Sequence, residues 1–266
     1  MTNKVKQLKS TYQDLRNLFE HEIKIKHIAE RLKCCNYEVE SSKLRQEMED
    51  LDFDVMGVEK EGEVKGYVKR LELGVGPVKN HQKSFFPPEL IEETAPMLTA
   101  FSALYDVQQK FVTHKNRVIG IITRGDLQKA PVRMWLFGLI TLLEMHLLRI
   151  IRNHFPNDSW KIHLSNGRIR IAEELFSLRK KRNEAIDMAD CLQFCDKRDL
   201  ILEIPEINEF MKTHWENSEK SPLKSAEQLR DKLAHAQDIV IGSTWPEVID
   251  LVKNIERLLE FFEKRE

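Results

Sequence analysis

The segment Gly120–Leu127, GIITRGDL, decides the fold because a degenerate copy of it lies upstream. That copy is Gly66–Leu73, GYVKRLEL, and the two match position by position at an offset of 54 residues. Each reads as a short apolar strand that turns at a polar residue into a helix. Repetition at such a period indicates one supersecondary unit used twice. The repeat favours a small-molecule sensor over an enzyme for the front half of the chain.

The residues around each copy extend the repeat to helix, strand, turn, strand, helix. The first copy has a helix from Ser41-Ser42 to Met48, a strand at 53–58, a turn at Glu61-Gly62 and a return strand at 64–68. The second copy has a helix at 99–104, a strand at 110–113, a turn at 114–116 and a return strand at 118–122. Alternating apolar residues on both sides of a short polar turn are typical of β-hairpins.

Composition sets limits on partners and compartment. The 266 residues include 42 basic and 43 acidic side chains, so the formal net charge of −1 excludes a global basic field for nucleic acid. The most apolar stretch, 134–151, contains Glu144, His146 and Arg149 and is shorter than the roughly 20 residues that span a bilayer. It predicts a buried helix. The lysine-rich N-terminus is not followed by an apolar segment, so we expect no signal peptide, and cytoplasm is the simplest compartment.

The character of the sequence changes near Pro131. Before it lies a mixed α/β region, with residues 1–35 read as a leading helical segment. After it, apart from a short strand at 162–171, the pattern predicts helices at 132–155, 171–195, 205–218, 225–240 and 245–264. The expected fold class is therefore α+β: a regulatory α/β domain over 1–130 and an all-helical bundle over 131–266. The four cysteines do not form a disulfide framework. A metal pair at Cys191 and Cys195 lacks an evident second pair, so we expect buried thiols and no metal site.

The paired repeats over residues 22–130 resemble a CBS-domain pair (a Bateman module). The resemblance rests on the helix-strand-strand-helix order and on 118–127 in the second copy. It implies two repeats packed sheet to sheet, with clefts between them that bind adenine nucleotides such as AMP, ATP or a cyclic dinucleotide.

Thr123, Arg124 and Asp126 are the candidate nucleotide-binding residues. A helix N-terminus offers unpaired N–H groups to a phosphate, Thr123 adds a hydroxyl donor and Arg124 a guanidinium. Asp126 can accept bonds from both hydroxyls of a ribose. In the first copy Lys69 and Glu72 replace Thr123 and Asp126, so we expect one well-formed site, in the second copy. In the alternative interpretation, Thr123 and Asp126 only cap a helix.

Arg230 and His235 carry the second motif, with Asp231 directly after the arginine. A histidine can act as general acid or base on an RNA 2′-hydroxyl, and an arginine can stabilise the charge on the phosphate. The same spacing occurs at Arg16/His21 and at Arg149/His154, so spacing alone decides nothing.

The capped helical context of Arg230–His235 resembles the HEPN superfamily, over about residues 133–266. The resemblance implies that Arg230 and His235 are catalytic, that Asp231 orients them, and that two protomers join their motifs in a composite site. Five residues at about 100° each separate Arg230 from His235 by about 140° on a helix, so one copy does not make a tight pair unaided. A surface arginine and a helix-terminal histidine without function is the other interpretation. The basic run 179–183 can follow an RNA backbone, or it can be a solvated helix face.

Taken together, the sequence favours an adenine-nucleotide-regulated, metal-independent endoribonuclease. It would act on single-stranded RNA as a homodimer, with no cofactor for catalysis and a role in defence suggested by family analogy alone. Coupling would run from the helix after Asp126 across Pro131 into the helix at Met134. The runner-up is a non-catalytic nucleotide-sensing regulator whose helical domain binds RNA or protein. A third interpretation is a dimerisation protein with neither activity, and an inhibitory protein partner stays an open question.

Overall fold

The structure is a computed structural model that describes residues 11–215 and 221–265. It forms two compact units. One is Leu18–Val132, an α/β unit, and the other is Arg133–Glu266 together with the described residues before Leu18. An α/β region followed by a mostly helical region confirms the predicted α+β class. The sequence-based division kept everything up to residue 130 together, whereas the structure groups residues 11–17 with the helical unit.

The α/β unit repeats one order of elements, after α1 (Tyr12–Glu22) and β1 (Glu30–Arg31). The first copy is β2 (Cys34–Asn36), α2 (Ser41–Asp50), β3 (Val55–Lys60), β4 (Glu63–Lys69) and the 3-10 turn Arg70–Glu72. The second copy is β5 (Leu90–Glu92), α3 (Thr99–Ala103), β6 (Gln109–His114), β7 (Arg117–Thr123) and the 3-10 turn Arg124–Gln128. The helix predicted after each return strand is therefore only a 3-10 turn, and each copy begins with a short strand that the sequence did not predict.

Each copy builds one sheet around a hairpin. β2 runs parallel to β3, and β3 runs antiparallel to β4; β5, β6 and β7 repeat this arrangement. The hairpins turn through two residues with positive φ, Glu61 and Gly62 in the first and Lys115 and Asn116 in the second. Such turns match the twist of the strands that they join. The 54-residue repeat therefore holds down to the conformation of single turn residues.

Apolar side chains of the strands and helices form the core of this unit. The first copy packs α2 against its sheet through Leu44, Met48, Met56, Val58 and Val68, all fully buried. A second cluster joins the two copies through Leu32, Tyr67 and Phe111. The rings of Tyr67 and Phe111 lie 4.6 Å apart between centroids. Burial of apolar area thus fixes the copies against each other as well as internally.

Gly66 and Gly120 occupy the same position in the two copies, where each return strand has a further neighbour. In both hairpins the register shifts at this point, opposite Val58 and Val112. A Cβ on Gly120 would lie 2.7 Å from the carbonyl oxygen of Glu30, on β1, and a Cβ on Gly66 would collide with the carbonyl oxygen of Lys83. Only glycine permits this close approach of a second backbone.

We expect Gly120→Ala to lower the free energy of unfolding of the α/β unit by about 1–3 kcal/mol, because the added methyl group must push β1 away from β7. Hydrogen exchange of the β7 amides measures the effect within this unit. Gly125→Ala is the matched control, since its Cβ would meet only the Thr123 hydroxyl at 3.4 Å. Equal protection of β7 in both variants would contradict the steric explanation.

The helical unit contains α4 (Ala130–His154, which starts three residues before the boundary), α5 (Asn166–Lys181), α6 (Phe194–Leu202), α7 (Pro205–Trp215), α8 (Pro222–Ala234) and α9 (Trp245–Glu263). α4, α7, α8 and α9 lie where helices were predicted, although the prediction for α7 extended into residues outside those described. The strand predicted at 162–171 is wrong, because α5 begins there. The helix predicted over 171–195 is wrong in its length, since Asn183 adopts a φ of 63° two residues after α5. A left-handed residue at that position ends a helix.

α4 is the one described helix that is long and apolar enough, by length and composition, to cross a membrane. Half of its most apolar window is buried inside the protein, and Trp135, Leu143 and Leu147 are fully buried. The core helix of a compact unit has these properties too. Pro131 lies in its first turn, where a missing N–H leaves no bond unmade, so the change of pattern near Pro131 coincides with the start of a helix.

Tyr12 ties the start of α1 to α9. Its hydroxyl donates to Glu256 Oε1 at 2.7 Å and accepts a hydrogen bond from Arg16 Nη1 at 2.6 Å, and its backbone N–H donates to Glu263 Oε1 at 2.5 Å. The side chain is buried. Burial, followed by the bond to Glu256, raises the pKa of Tyr12 well above its ordinary value of 10.0.

We expect Tyr12→Phe to lower the free energy of unfolding of the helical unit by about 1 kcal/mol near neutral pH, because Glu256 and Arg16 lose a buried partner. The four tryptophans all lie in this unit and report its unfolding in urea by fluorescence.

The difference in stability between wild type and Tyr12→Phe should also depend on pH. The raised pKa keeps Tyr12 protonated in the folded state when the unfolded chain has begun to lose that proton, so its stabilising contribution is complete below pH 10 and declines above it. The difference in stability between wild type and Tyr12→Phe should therefore shrink from pH 9 to pH 11. A constant difference over that range would contradict the proposed linkage.

Candidate functional site

Thr123 and Asp126 form a capping pair at the end of β7. The carboxylate oxygen Oδ2 of Asp126 accepts hydrogen bonds from the backbone N–H of Thr123 at 2.7 Å and from its hydroxyl at 3.0 Å. The pair begins the 3-10 turn Arg124–Gln128, not an α-helix. A five-residue turn lacks the aligned dipoles that make a long helix attract phosphate, so the expected helix N-terminus is absent at this position.

The second oxygen of Asp126 is also occupied. Its Oδ1 lies 2.8 Å from Lys129 Nζ, and the same ammonium group donates to the carbonyl of Ile28 at 2.6 Å and to Glu30. Burial by itself would lower the pKa of Lys129, but the bonds to Asp126 and Glu30 outweigh it and leave that pKa raised. Asp126 is 5% exposed. The carboxylate expected to face a ribose is thus engaged on both oxygens by its own chain.

Arg124 is committed to a loop of the same copy. Its Nε donates to the carbonyl of Leu104 at 3.0 Å and its Nη2 to that of Tyr105, while its backbone N–H donates to Gln108. The side chain therefore holds the segment between α3 and β6. Its predicted contact with phosphate stays a prediction, and the structure gives the guanidinium a structural task.

One open cleft of the α/β unit lies at the first copy. It has a volume of about 720 Å³, and Lys69, Leu71 and Glu72 line it at the positions that correspond to Thr123, Gly125 and Asp126. The second copy supplies the other wall, residues 107–111. This cleft therefore lies at the first copy, whereas the sequence predicted the well-formed site at the second copy.

Charged groups of this cleft stand at its surface. The Glu72 carboxylate is 43% exposed, pairs with Lys83 and lies 4.0 Å from Lys69 Nζ. The hydrogen bond from Lys83 is the main reason why the pKa of Glu72 lies below its usual range. Lys110 Nζ donates to the carbonyl of Pro88, which also lines the cleft. The residues that line the cleft thus include three carboxylates, Asp54, Glu72 and Glu89, and two ammonium groups, Lys69 and Lys110.

Apolar and aromatic groups form the remainder of the cleft. Leu71 is 92% exposed and Val107 39% exposed, and both line it with the buried ring of Phe111. Tyr67 donates its hydroxyl to Glu89 Oε1 at 2.8 Å, and burial with this bond raises the pKa of Tyr67 to about 12. An exposed leucine beside a carboxylate and ammonium groups is an arrangement that accepts a ligand with one flat apolar part and one charged part.

A second cleft of about 990 Å³ lies along the hairpins of both copies. Arg31, Lys33, Lys65 and Arg117 are its basic residues, against Glu59 and Glu63. Glu63 pairs with both Lys65 and Arg117. These basic residues come from three separate segments that only the fold brings together, so no local pattern in the sequence marks this surface.

Arg230 and His235, the two residues of the Arg–His motif, do not meet within one protomer. Arg230 donates to Asp231 Oδ1 at 2.8 Å through Nη2, and its guanidinium lies 5.6 Å from the ring centroid of Phe194. His235 is exposed at the C-cap of α8. Among the described residues, no hydrogen bond or ion pair joins Arg230 to His235. Arg230 is thus paired with its sequence neighbour Asp231, and the catalytic roles of Arg230 and His235 and the orienting role of Asp231 stay predictions.

The cysteines and acidic residues form no metal centre in the part of the chain that is described, where no group of three or more His, Cys, Asp or Glu side chains could hold an ion. Cys191 is buried, and Cys195 Sγ contacts Arg168 Nη2.

Comparison with known proteins shows a structural likeness only. No model of a protein family matches the sequence, and no curated protein matches it. Over 42% of this chain, the fold is similar to a CBS domain pair/ACT domain protein from Thermotoga maritima (15% identity, 98% of that chain, TM-score 0.35). It is also similar to a CBS domain-containing protein of unknown function from Bacillus anthracis (12% identity, 42% and 94% of the two chains, TM-score 0.37). A third similar structure is CBSX2 in complex with AMP (13% identity, 42% and 97%, TM-score 0.37).

Proposed function

We propose that this chain is a nucleotide-sensing regulator whose α/β unit binds an adenine nucleotide in the cleft beside Lys69 and Glu72. One observation carries the proposal: a cleft of about 720 Å³ that combines an exposed carboxylate, ammonium groups and an apolar wall. Its volume falls within the roughly 300–1,000 Å³ of small-molecule sites. The helical unit would then bind RNA or protein without cutting it.

Each part of a nucleotide has a matching group in this cleft. Glu72 would accept hydrogen bonds from the two ribose hydroxyls, as acidic residues do in other nucleotide folds. Lys69 and Lys110 would neutralise phosphate oxygens as mobile point charges. The adenine ring would lie against Leu71 and Val107. Thr123, Arg124 and Asp126 would maintain the second copy and would not contact the ligand.

The chain offers a direct route for a signal. The 3-10 turn Arg124–Gln128 is followed after one residue by α4, which continues into the helical unit. A ligand that prefers one conformation of the α/β unit shifts the balance of conformations by its difference in affinity. Cytoplasm is the compartment that we propose, because adenine nucleotides are available there.

Calorimetry with AMP, ATP and a cyclic adenylate tests the cleft. We expect Glu72→Ala and Lys69→Ala each to weaken nucleotide binding by about tenfold, the equivalent of about 1.4 kcal/mol, because each removes one charged contact. Thr123→Ala is the matched control: loss of the cap costs about 1 kcal/mol of stability and leaves the affinity unchanged.

Two results would overturn the assignment. Absence of heat with all three nucleotides at millimolar concentration would exclude the ligand class. Wild-type affinity in Glu72→Ala together with weak binding in Lys33→Ala would move the site to the second cleft.

An endoribonuclease built on Arg230, Asp231 and His235 is the second candidate function. The bond between Arg230 and Asp231 and the exposure of His235 favour it, but the separation of Arg230 from His235 requires a second copy to complete the site. Under the regulatory proposal, single-stranded RNA incubated with the protein and EDTA stays intact to the same degree with wild type, Arg230→Ala and His235→Ala. Metal-independent cleavage by wild type that both variants lose, with their fold retained, would instead establish the ribonuclease.

A further inference from the structure

α5 turns its apolar stripe outward. Of its sixteen residues only Ala172 is buried. Ile171, Leu175 and Leu178 are 48%, 39% and 48% exposed. They follow one another at spacings of four and three residues, so they form one stripe along the helix. A surface helix ordinarily packs such a stripe against its own core.

Polar bonds at both ends attach α5 to its unit. Near the start, Arg168 pairs with Asp196 and Asp199 of α6, the latter at 3.2 Å. Near the end, Arg179 pairs with Glu184 at 2.6 Å and donates to the carbonyl of Asp190 at 3.3 Å.

Arg168, Ala172 and Arg179 lie within about 40° of one another around the helix, and their centre is about 75° from the centre of the stripe. The attachment therefore uses the face beside the stripe. A helix of this length is marginal without tertiary packing, so a partner for the stripe would stabilise it.

The charged residues beside the stripe can pair with the same residues of a second copy of the chain. Glu174 and Lys181 are seven residues apart and so lie on the same flank. Among the described residues, Glu174 pairs only with Arg170 of its own helix, at 3.8 Å and with both side chains more than 70% exposed, which is a weak interaction. Lys181 has no ion pair among the described residues. When two copies of α5 pack antiparallel with a two-fold axis near Ser177 and Leu178, Glu174 of each copy faces Lys181 of the other.

We propose that α5 is the surface through which two copies of this chain associate, with Leu175 and Leu178 packed about the two-fold axis and two Glu174–Lys181 pairs beside them. The helix is about 24 Å long, so the interface belongs to the small class that gives reversible dimers dependent on concentration. The proposal concerns the helical unit and does not depend on the nucleotide cleft.

Sedimentation equilibrium of the full chain without nucleotide, from about 1 to 500 µM, tests it. We expect a monomer–dimer equilibrium. Glu174→Lys and Lys181→Glu should each raise the dissociation constant at least tenfold, because two attractive pairs per dimer become repulsive. The double variant should return to within about threefold of wild type, since the pairs are restored with opposite sign.

Glu173→Lys and Lys180→Glu are the matched controls. They make the same changes of charge one residue away, on the far side of the helix from the stripe, and should leave the dissociation constant unchanged. Circular dichroism confirms that every variant keeps its helix content. A monomer at every concentration overturns the proposal, and so does a dimer whose dissociation constant is the same in Glu174→Lys and Glu173→Lys, because that dimer uses another face.

Discussion

The return strand of each hairpin in the α/β unit accepts a second backbone against a glycine, and the rest of that unit depends on this contact. At Gly120 the neighbour is Glu30 of β1, and at Gly66 it is Lys83. The residues that follow in β4 and β7 pair with these neighbours: Tyr67 with Lys83, and Ile121 with Glu30. Because the contact recurs at the same position of both copies, the sheets, bulges and turns recur with it. The 54-residue repeat in the sequence reflects this shared geometry.

The two copies of the repeat differ in the surroundings of the acidic residue six positions after the glycine. In the second copy Lys129 draws Asp126, Glu30 and the carbonyl of Ile28 together, so the segment before β1 closes over the carboxylate. In the first copy the corresponding carboxylate, Glu72, is met by Lys83 at the surface and remains 43% exposed. Lys129 thus occupies the carboxylate of the second copy. The cleft is lined instead by Lys69 and Glu72 of the first copy, which match the expected binding residues less well. Good capping chemistry and an open site are competing uses of the same carboxylate.

The sequence predicts the parts of this structure that have local signals and not those that depend on contacts between distant residues. The hairpins, α2, α4 and α9 follow from local pattern, because alternation, helical period and the capping pair Thr244 and Glu247 are local signals. Lys129, which binds Asp126, has its other partners about 100 residues earlier in the chain, at Ile28 and Glu30, and no local signal marks them. The same holds for the basic cleft. The start of α5 was mistaken for a strand because its isoleucines alternate with arginines, and those arginines are used for ion pairs rather than for a sheet face.

The ion pairs of α5 connect the proposed dimer surface to the Arg–His motif. Arg168 of α5 and Arg198 of α6 share Asp199, and Arg198 also binds Glu227 of α8 at 2.6 Å. Phe194, at the start of α6, lies against the guanidinium of Arg230. α5 and α8 are therefore both fixed to α6, so a two-fold axis at α5 also sets the distance between the two copies of Arg230. A composite ribonuclease site needs these arginines and histidines to meet across that axis. The α5 dimer and such a site are compatible only if α8 also borders the axis, because the ion pairs through α6 hold α5 and α8 together.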